Sequence, residues 1–142
     1  MKNHLILLFT ILLTGCATTQ ISSVPTKTAN DIKKVCIEHN AKVIVQNFDD
    51  ILRNRFEDHG ITSLIYNKDQ KPNDCKYTLR YVAYQKWDMT MVMTHAELRL
   101  YKNDNKIGYA EYHLPAGGLL NPKKYISNES KINPLIDQLL GK

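Results

Sequence analysis

The sequence predicts an α+β fold: a mixed sheet of about five strands in the order β-α-β-β-β-β-α, with the helices packed on one face. Three observations carry this reading. Ile44, Val45, Phe48, Ile51, Leu52 and Phe56 recur at helical spacing. Residues 75–87 and 90–101 alternate apolar and polar side chains in opposite parity on either side of Asp88-Met89. Ile132, Leu135, Ile136, Leu139 and Leu140 form a second helical stripe near the end of the chain. Hydrophobic residues are 43% and charged residues 23%, which excludes a largely disordered or fibrous chain.

Taken in order, residues 33–39 (KKVCIEH) read as the first strand, with Val35 and Ile37 on one face. The amphipathic helix follows, and His59-Gly60 supplies a left-handed stop. Residues 61–66 form the second strand, parallel to the first through a right-handed crossover. Residues 67–74 (NKDQKPND) are a polar turn region. In the third strand Cys75, Tyr77, Leu79, Tyr81 and Ala83 face inward; in the fourth, Val92, Ala96, Leu98 and Leu100 do. A tight hairpin at Asp88-Met89 places Leu79 opposite Leu98, Tyr77 opposite Leu100 and Tyr81 opposite Ala96, with Arg80 opposite Glu97 on the outer face. Residues 106–114 are the fifth strand, with Gly108, Ala110, Tyr112 and Leu114 inward and Glu111 and His113 in water. Residues 115–130 read as a loop, and the final helix carries Pro134 near its start.

The beginning of the chain gives its address. Met1-Lys2-Asn3-His4 is a short positive segment, and residues 5–13 (LILLFTILL) are an apolar run. Nine helical residues rise only about 14 Å, against the roughly 30 Å of a bilayer core, so the run is a signal-peptide core rather than a spanning helix. It ends in Leu13-Thr14-Gly15-Cys16, which resembles the lipobox of bacterial lipoproteins. The resemblance implies that residues 1–15 are removed and that Cys16 carries a diacylglycerol and an acyl chain. Three chains would hold the protein durably on a membrane, at roughly 0.8 kcal/mol per buried CH₂. Ala17 rather than Asp follows Cys16, which by the same resemblance implies the outer membrane on its periplasmic side. No cofactor beyond the covalent lipid is expected. Residues 16–31 read as the lipidated Cys and a Thr/Ser-rich flexible tether, and residues 32–142 as one periplasmic domain.

In that oxidising compartment Cys36 and Cys75 are expected to form a disulfide, the alternative being two free buried thiols. Lys+Arg is 19 and Asp+Glu 14, a net charge of +5 that falls to +4 when Lys2 leaves with the leader. The lysines are scattered, which suits lipid headgroups or a solvated surface and argues against a nucleic-acid partner. The first strand, NFDDILRNRFEDHG and the second strand together resemble the β-α-β start of envelope proteins such as the TolB N-terminal domain and the curli-secretion lipoprotein. The whole chain resembles small lipoproteins common in gamma-proteobacteria, and the resemblance implies no activity.

No nucleophile elbow, serine triad or phosphate cradle is visible. Asp49-Asp50 and Glu57-Asp58 read as solvated helix charge, and His39, His59, His95 and His113 stand on separate elements. The unusual stretch is WDMTMVMTH at 87–95, where an extended strand points Met91, Met93 and His95 to one face. It resembles the Trp-and-MTM run of small periplasmic copper/silver chaperones, and thioether plus imidazole suits Cu(I) or Ag(I). Same-face neighbours are about 7 Å apart and Met91 to His95 about 13 Å, so without a bulge one ion reaches two of them at most. The other reading of these methionines is packing. With Tyr84 and Tyr109, the same residues form a candidate binding face for an envelope partner. The expectation is a non-enzymatic, membrane-anchored lipoprotein with a binding or envelope-assembly role; the alternatives are a Cu(I)/Ag(I)-binding protein and an inhibitor of an envelope enzyme.

Overall fold

Helical and alternating stretches combine into one mixed sheet with three helices. The computed structural model describes residues 18–114 and 122–142; the leader, Cys16 and Ala17 lie outside them. The elements are β1 (Thr18–Ser22), α1 (Thr26–Asp31), β2 (Lys34–Glu38), α2 (Phe48–Asp58), β3 (Thr62–Tyr66), β4 (Tyr77–Asp88), β5 (Thr90–Lys102), β6 (Asn105–His113) and α3 (Asn128–Leu139), with short 3₁₀ turns at Lys68–Gln70 and Pro122–Tyr125. The sheet order is β1-β6-β5-β4-β2-β3. The strand β2 pairs parallel with β3 and with β4, and every other neighbour is antiparallel.

The sheet therefore has six strands rather than five. The additional one, β1, lies in the stretch expected to be a tether. It pairs along β6, placing Ile21 opposite Ala110. Val24 is buried, and its N–H donates to the Leu139 carbonyl at 2.8 Å. Ile21, Val24, Ala29 and Ile32 are too sparse to read as a strand and helix, but together they cover the end of α3 and join the core.

The long helix begins later than its apolar spacing suggested. Asn47 takes a left-handed conformation (φ 56°), so the helix starts at Phe48, and Ile44 is 72% exposed rather than inward. Gly60 (φ 72°) ends it as expected. Conversely, α3 begins earlier, at Asn128, because Ser127 caps it: its hydroxyl accepts from the Ser130 N–H at 3.1 Å. Pro134 consequently lies inside the helix.

Leu52 and Phe56 of α2 and Leu135, Ile136 and Leu139 of α3 pack with Val35, Ile37, Leu79, Tyr81, Leu98, Leu100, Ala110 and Tyr112 of the sheet in one core. Fully burying each Leu, Ile or Phe contributes about 1.5–3 kcal/mol. On the opposite sheet face, Cys36, Tyr66 and Cys75 make a second, small cluster. Cys36 and Cys75 are disulfide-bonded, with Cα atoms 5.8 Å apart. Cys75 therefore does not share the inward face of Tyr77 and Leu79; it precedes β4 and joins Cys36, whose neighbour in the ladder is Thr78.

The β4–β5 hairpin differs from the expected register by two residues. Leu79 faces Leu100, Tyr81 faces Leu98, and Arg80 faces Arg99, while Glu97 faces Val82. Two one-residue effects add up. At the tip Met89 alone turns the chain (φ 58°), with Asp88 opposite Thr90. Further along, Tyr84 pairs with His95 but Gln85 with Met93, so Thr94 is an extra, bulged residue. A shift of two keeps every side chain beyond the bulge on its expected face, which is why Leu79, Leu98 and Leu100 are buried as anticipated.

Candidate functional site

The bulge decides which side chains meet on the outer sheet face. Below Thr94, parity is reversed: Met91 pairs with Trp87 and Met93 with Gln85, on the side of Ala83 and the core. Met93 is 1% exposed. His95, opposite Tyr84, lies on the other side. The expected Met91, Met93, His95 set is thus split between two faces, and the proposed Cu(I)/Ag(I) ligands do not converge. Of the anticipated binding face, Tyr84, His95 and Tyr109 remain together, and Met91 and Met93 leave it.

What replaces them is a polar network built by cross-strand pairing. One row runs Tyr84, His95, His113; the next Val82, Glu97, Glu111; the next Arg80, Arg99, Tyr109. Glu97 and Glu111 stand directly opposite each other, a repulsive arrangement unless a polar group lies between them. The His95 imidazole occupies that position. Its Nε2 is 3.1 Å from Glu97 Oε1 and its Nδ1 3.6 Å from Glu111 Oε1. The outer carboxylate oxygens are held elsewhere: Arg99 donates to Glu97 Oε2, and the Tyr109 hydroxyl donates to Glu111 Oε2 at 2.8 Å. Burial, then the bond to Glu111, pushes the Tyr109 hydroxyl up from its ordinary value. Tyr84 stacks on His95 with ring centroids 5.7 Å apart, and His113 meets it edge-on at 5.8 Å.

Chemically this is one imidazole and two oriented carboxylates whose ligand atoms lie within 4.8 Å of one another. Nitrogen and oxygen donors of this kind suit a borderline divalent ion such as Zn²⁺, and the bonds from Arg99 and Tyr109 are the outer contacts that commonly orient metal-binding carboxylates. Sequence reading named His95 and Tyr109 but missed Glu97 and Glu111 as a pair. The legible signal was the antiparallel register of β5 and β6, which the reading never combined.

The remaining histidines among the described residues, His39 and His59, also have partners. His39 Nδ1 is 2.5 Å from Asp49 Oδ2, and the Tyr81 hydroxyl donates to the other oxygen of Asp49. Asp49 is therefore a tie between α2 and β4 rather than solvated helix charge. Burial first, and Asp49 second, raise the Tyr81 hydroxyl far above its ordinary value. Arg55 donates from Nε and Nη2 to both oxygens of Asp137 at 2.7 and 2.6 Å, and His59 Nε2 lies 2.7 Å from the same carboxylate. Two clefts, about 270 Å³ beside Gly108 and Tyr109 and about 240 Å³ between α2 and α3, fall below the roughly 300–1,000 Å³ of small-molecule pockets.

The fold resembles that of PelC. The PelC dodecamer from Paraburkholderia phytofirmans aligns with a TM-score of 0.57 at 15% identity, over 88% of this chain and 95% of that one. A point variant of the same PelC dodecamer aligns with a TM-score of 0.56 at 15% identity, over the same shares. At this identity the likeness establishes the fold alone. No protein-family model and no curated protein matches the sequence.

Proposed function

We propose that this chain is a lipid-anchored envelope protein, on the periplasmic side of the outer membrane, that works by binding or assembly rather than catalysis. The observation that carries the reading is the outer sheet face. It is spread over β4, β5 and β6, it presents ordered polar and aromatic groups, and the core with α2 and α3 lies on the other side. A broad, ordered surface suits a macromolecular partner better than a small substrate. The lipobox-like Leu13-Thr14-Gly15-Cys16 supports the anchor. That a chain of similar fold, PelC, forms a dodecamer supports assembly as the mode of action.

The test is fractionation followed by crosslinking. The wild type should cofractionate with outer membranes, and Cys16→Ala should become soluble. Crosslinking through a residue introduced at Tyr84 should capture a partner or a second copy. A wild-type chain that is soluble and monomeric throughout removes the reading.

One observation favours a second reading, divalent-cation binding at His95, Glu97 and Glu111. Zn²⁺ titration of the chain carrying Cys16→Ala, which leaves no thiol outside the disulfide, checks it. Binding should vanish in His95→Ala and Glu111→Gln and persist in His39→Ala. No heat of binding in the parent chain rejects it.

A further inference from the structure

Most of the large apolar side chains that stand exposed among the described residues gather at one end of the sheet, Leu64 on β3 and Tyr84 on the outer face standing apart. On the β4–β5 hairpin Trp87 is 73% exposed, Met89 81% and Met91 48%. The loop before α2 brings Ile44 beside them, its carbonyl accepting from Gln85 Nε2 at 3.2 Å. The ion pair between Lys124 and Asp88 brings the exposed Tyr125 and Ile126 to the same end. Lys42 and Lys86, both exposed, flank this surface. Among the described residues, none of these side chains belongs to the buried core.

The start of the described chain lies at that end too. Thr18 is level with His113, which is level with His95. From His95 the hairpin runs six positions further to Met89, roughly 15–20 Å at the rise of a strand. Cys16 is only two positions from Thr18, about 7 Å at full extension. Even at that reach the anchor position would stop roughly 10 Å short of the tip. Interfacial protein segments bury their apolar side about 5–10 Å into the boundary between headgroups and acyl chains.

We propose that the Trp87–Met91 tip is a second membrane contact, inserted at the headgroup level of the phospholipid bilayer that holds Cys16. The inference rests on the lipid-anchored reading above. Trp at the interface, methionines beneath it and lysines beside it match what such a surface selects: an amphipathic ring, apolar insertion and attraction to anionic headgroups.

Trp87 is the only tryptophan in the chain, so its emission reports the tip directly. The lipidated full-length chain would be reconstituted into phosphatidylethanolamine/phosphatidylglycerol vesicles, with and without lipids brominated near the headgroup. Trp87 emission should shift to the blue and be quenched by the brominated lipid. Met89→Asp should lose most of both while still floating with the vesicles. A chain that floats with Trp87 unquenched overturns the tip contact and leaves the anchor standing. A chain that neither floats nor quenches overturns both. Quenching that survives Met89→Asp, or a blue shift in detergent that grows with protein concentration, as contact with a second copy would give, also overturns the proposal.

Discussion

Asp137 has the most tightly held carboxylate between the two main helices. The hydrogen-bonded Arg55 guanidinium holds its carboxyl below the usual carboxylate range; burial opposes this, and His59 adds to it. A depressed carboxylate stabilises the folded state at every pH above its unfolded value, near 3.9. That contribution is lost as pH falls through the lower, folded value. Asp137→Asn should therefore reduce stability by about 1–2 kcal/mol at neutral pH, since Asp137 is partly buried and its partner is bidentate. The difference from wild type should shrink in urea melts taken below about pH 4. Equal differences at pH 7 and pH 3 would refute this account. The tie was illegible because 82 residues separate Arg55 from Asp137. Only the packing of α2 on α3 brings them together. Leu79, Leu98 and Leu100 were legible because alternation alone assigns them a face.

The β4–β5 hairpin shows how far such local reasoning reaches. Parity assigned the core residues beyond the bulge, and the polar match of Arg80 with Glu97 suggested a register that the strands do not adopt. Cores outweigh such matches: burying one leucine contributes about 1.5–3 kcal/mol, while an exposed cross-strand ion pair contributes no more than roughly 1. Leu98→Ala should cost about 2–5 kcal/mol. Glu97→Ala should cost less than about 1, because it also removes the opposition to Glu111. Urea midpoints of the two variants compare them directly. The bulge itself makes a sharper prediction. Its carbonyl, on Thr94, accepts from the Leu114 N–H at 2.8 Å, so the extra residue is held by the residue just past the end of β6. Deleting Thr94 should leave Met93 opposite Gln85 and buried, and so cost less than Met93→Ala, about 2–5 kcal/mol. A deletion as costly in the urea midpoint as Met93→Ala would contradict this reading of the hairpin. Nothing in MTMVMTH announces a bulge, because alternation reads equally well with either parity.

For the whole molecule, the disulfide joins the parallel and antiparallel halves of the sheet. It closes a loop with a sequence separation of 39 residues between β2 and the approach to β4. In the chain-entropy view such a closure stabilises by about 4 kcal/mol. Cys36→Ala/Cys75→Ala, or reduction of the wild type, should lower the urea midpoint accordingly, with the same change for both treatments. The cysteine pairing was legible because two thiols remain once Cys16 is set aside. The sixth strand was not, because β1 has little apolar pattern of its own and is ordered by β6.

Pinning β1 to β6 also changes what the proposed anchor would do. If Cys16 is acylated as proposed, only one position of the sequence, Ala17, separates it from the first strand. A free 14-residue leash would let the domain sweep a hemisphere of tens of ångströms. A one-residue leash would instead hold the strands upright on the bilayer, so that the Glu97–Glu111 face would look sideways along the leaflet. Partners would be met by two-dimensional diffusion at a fixed orientation. A modest contact on that face then acts at the high local concentration of molecules confined to one plane.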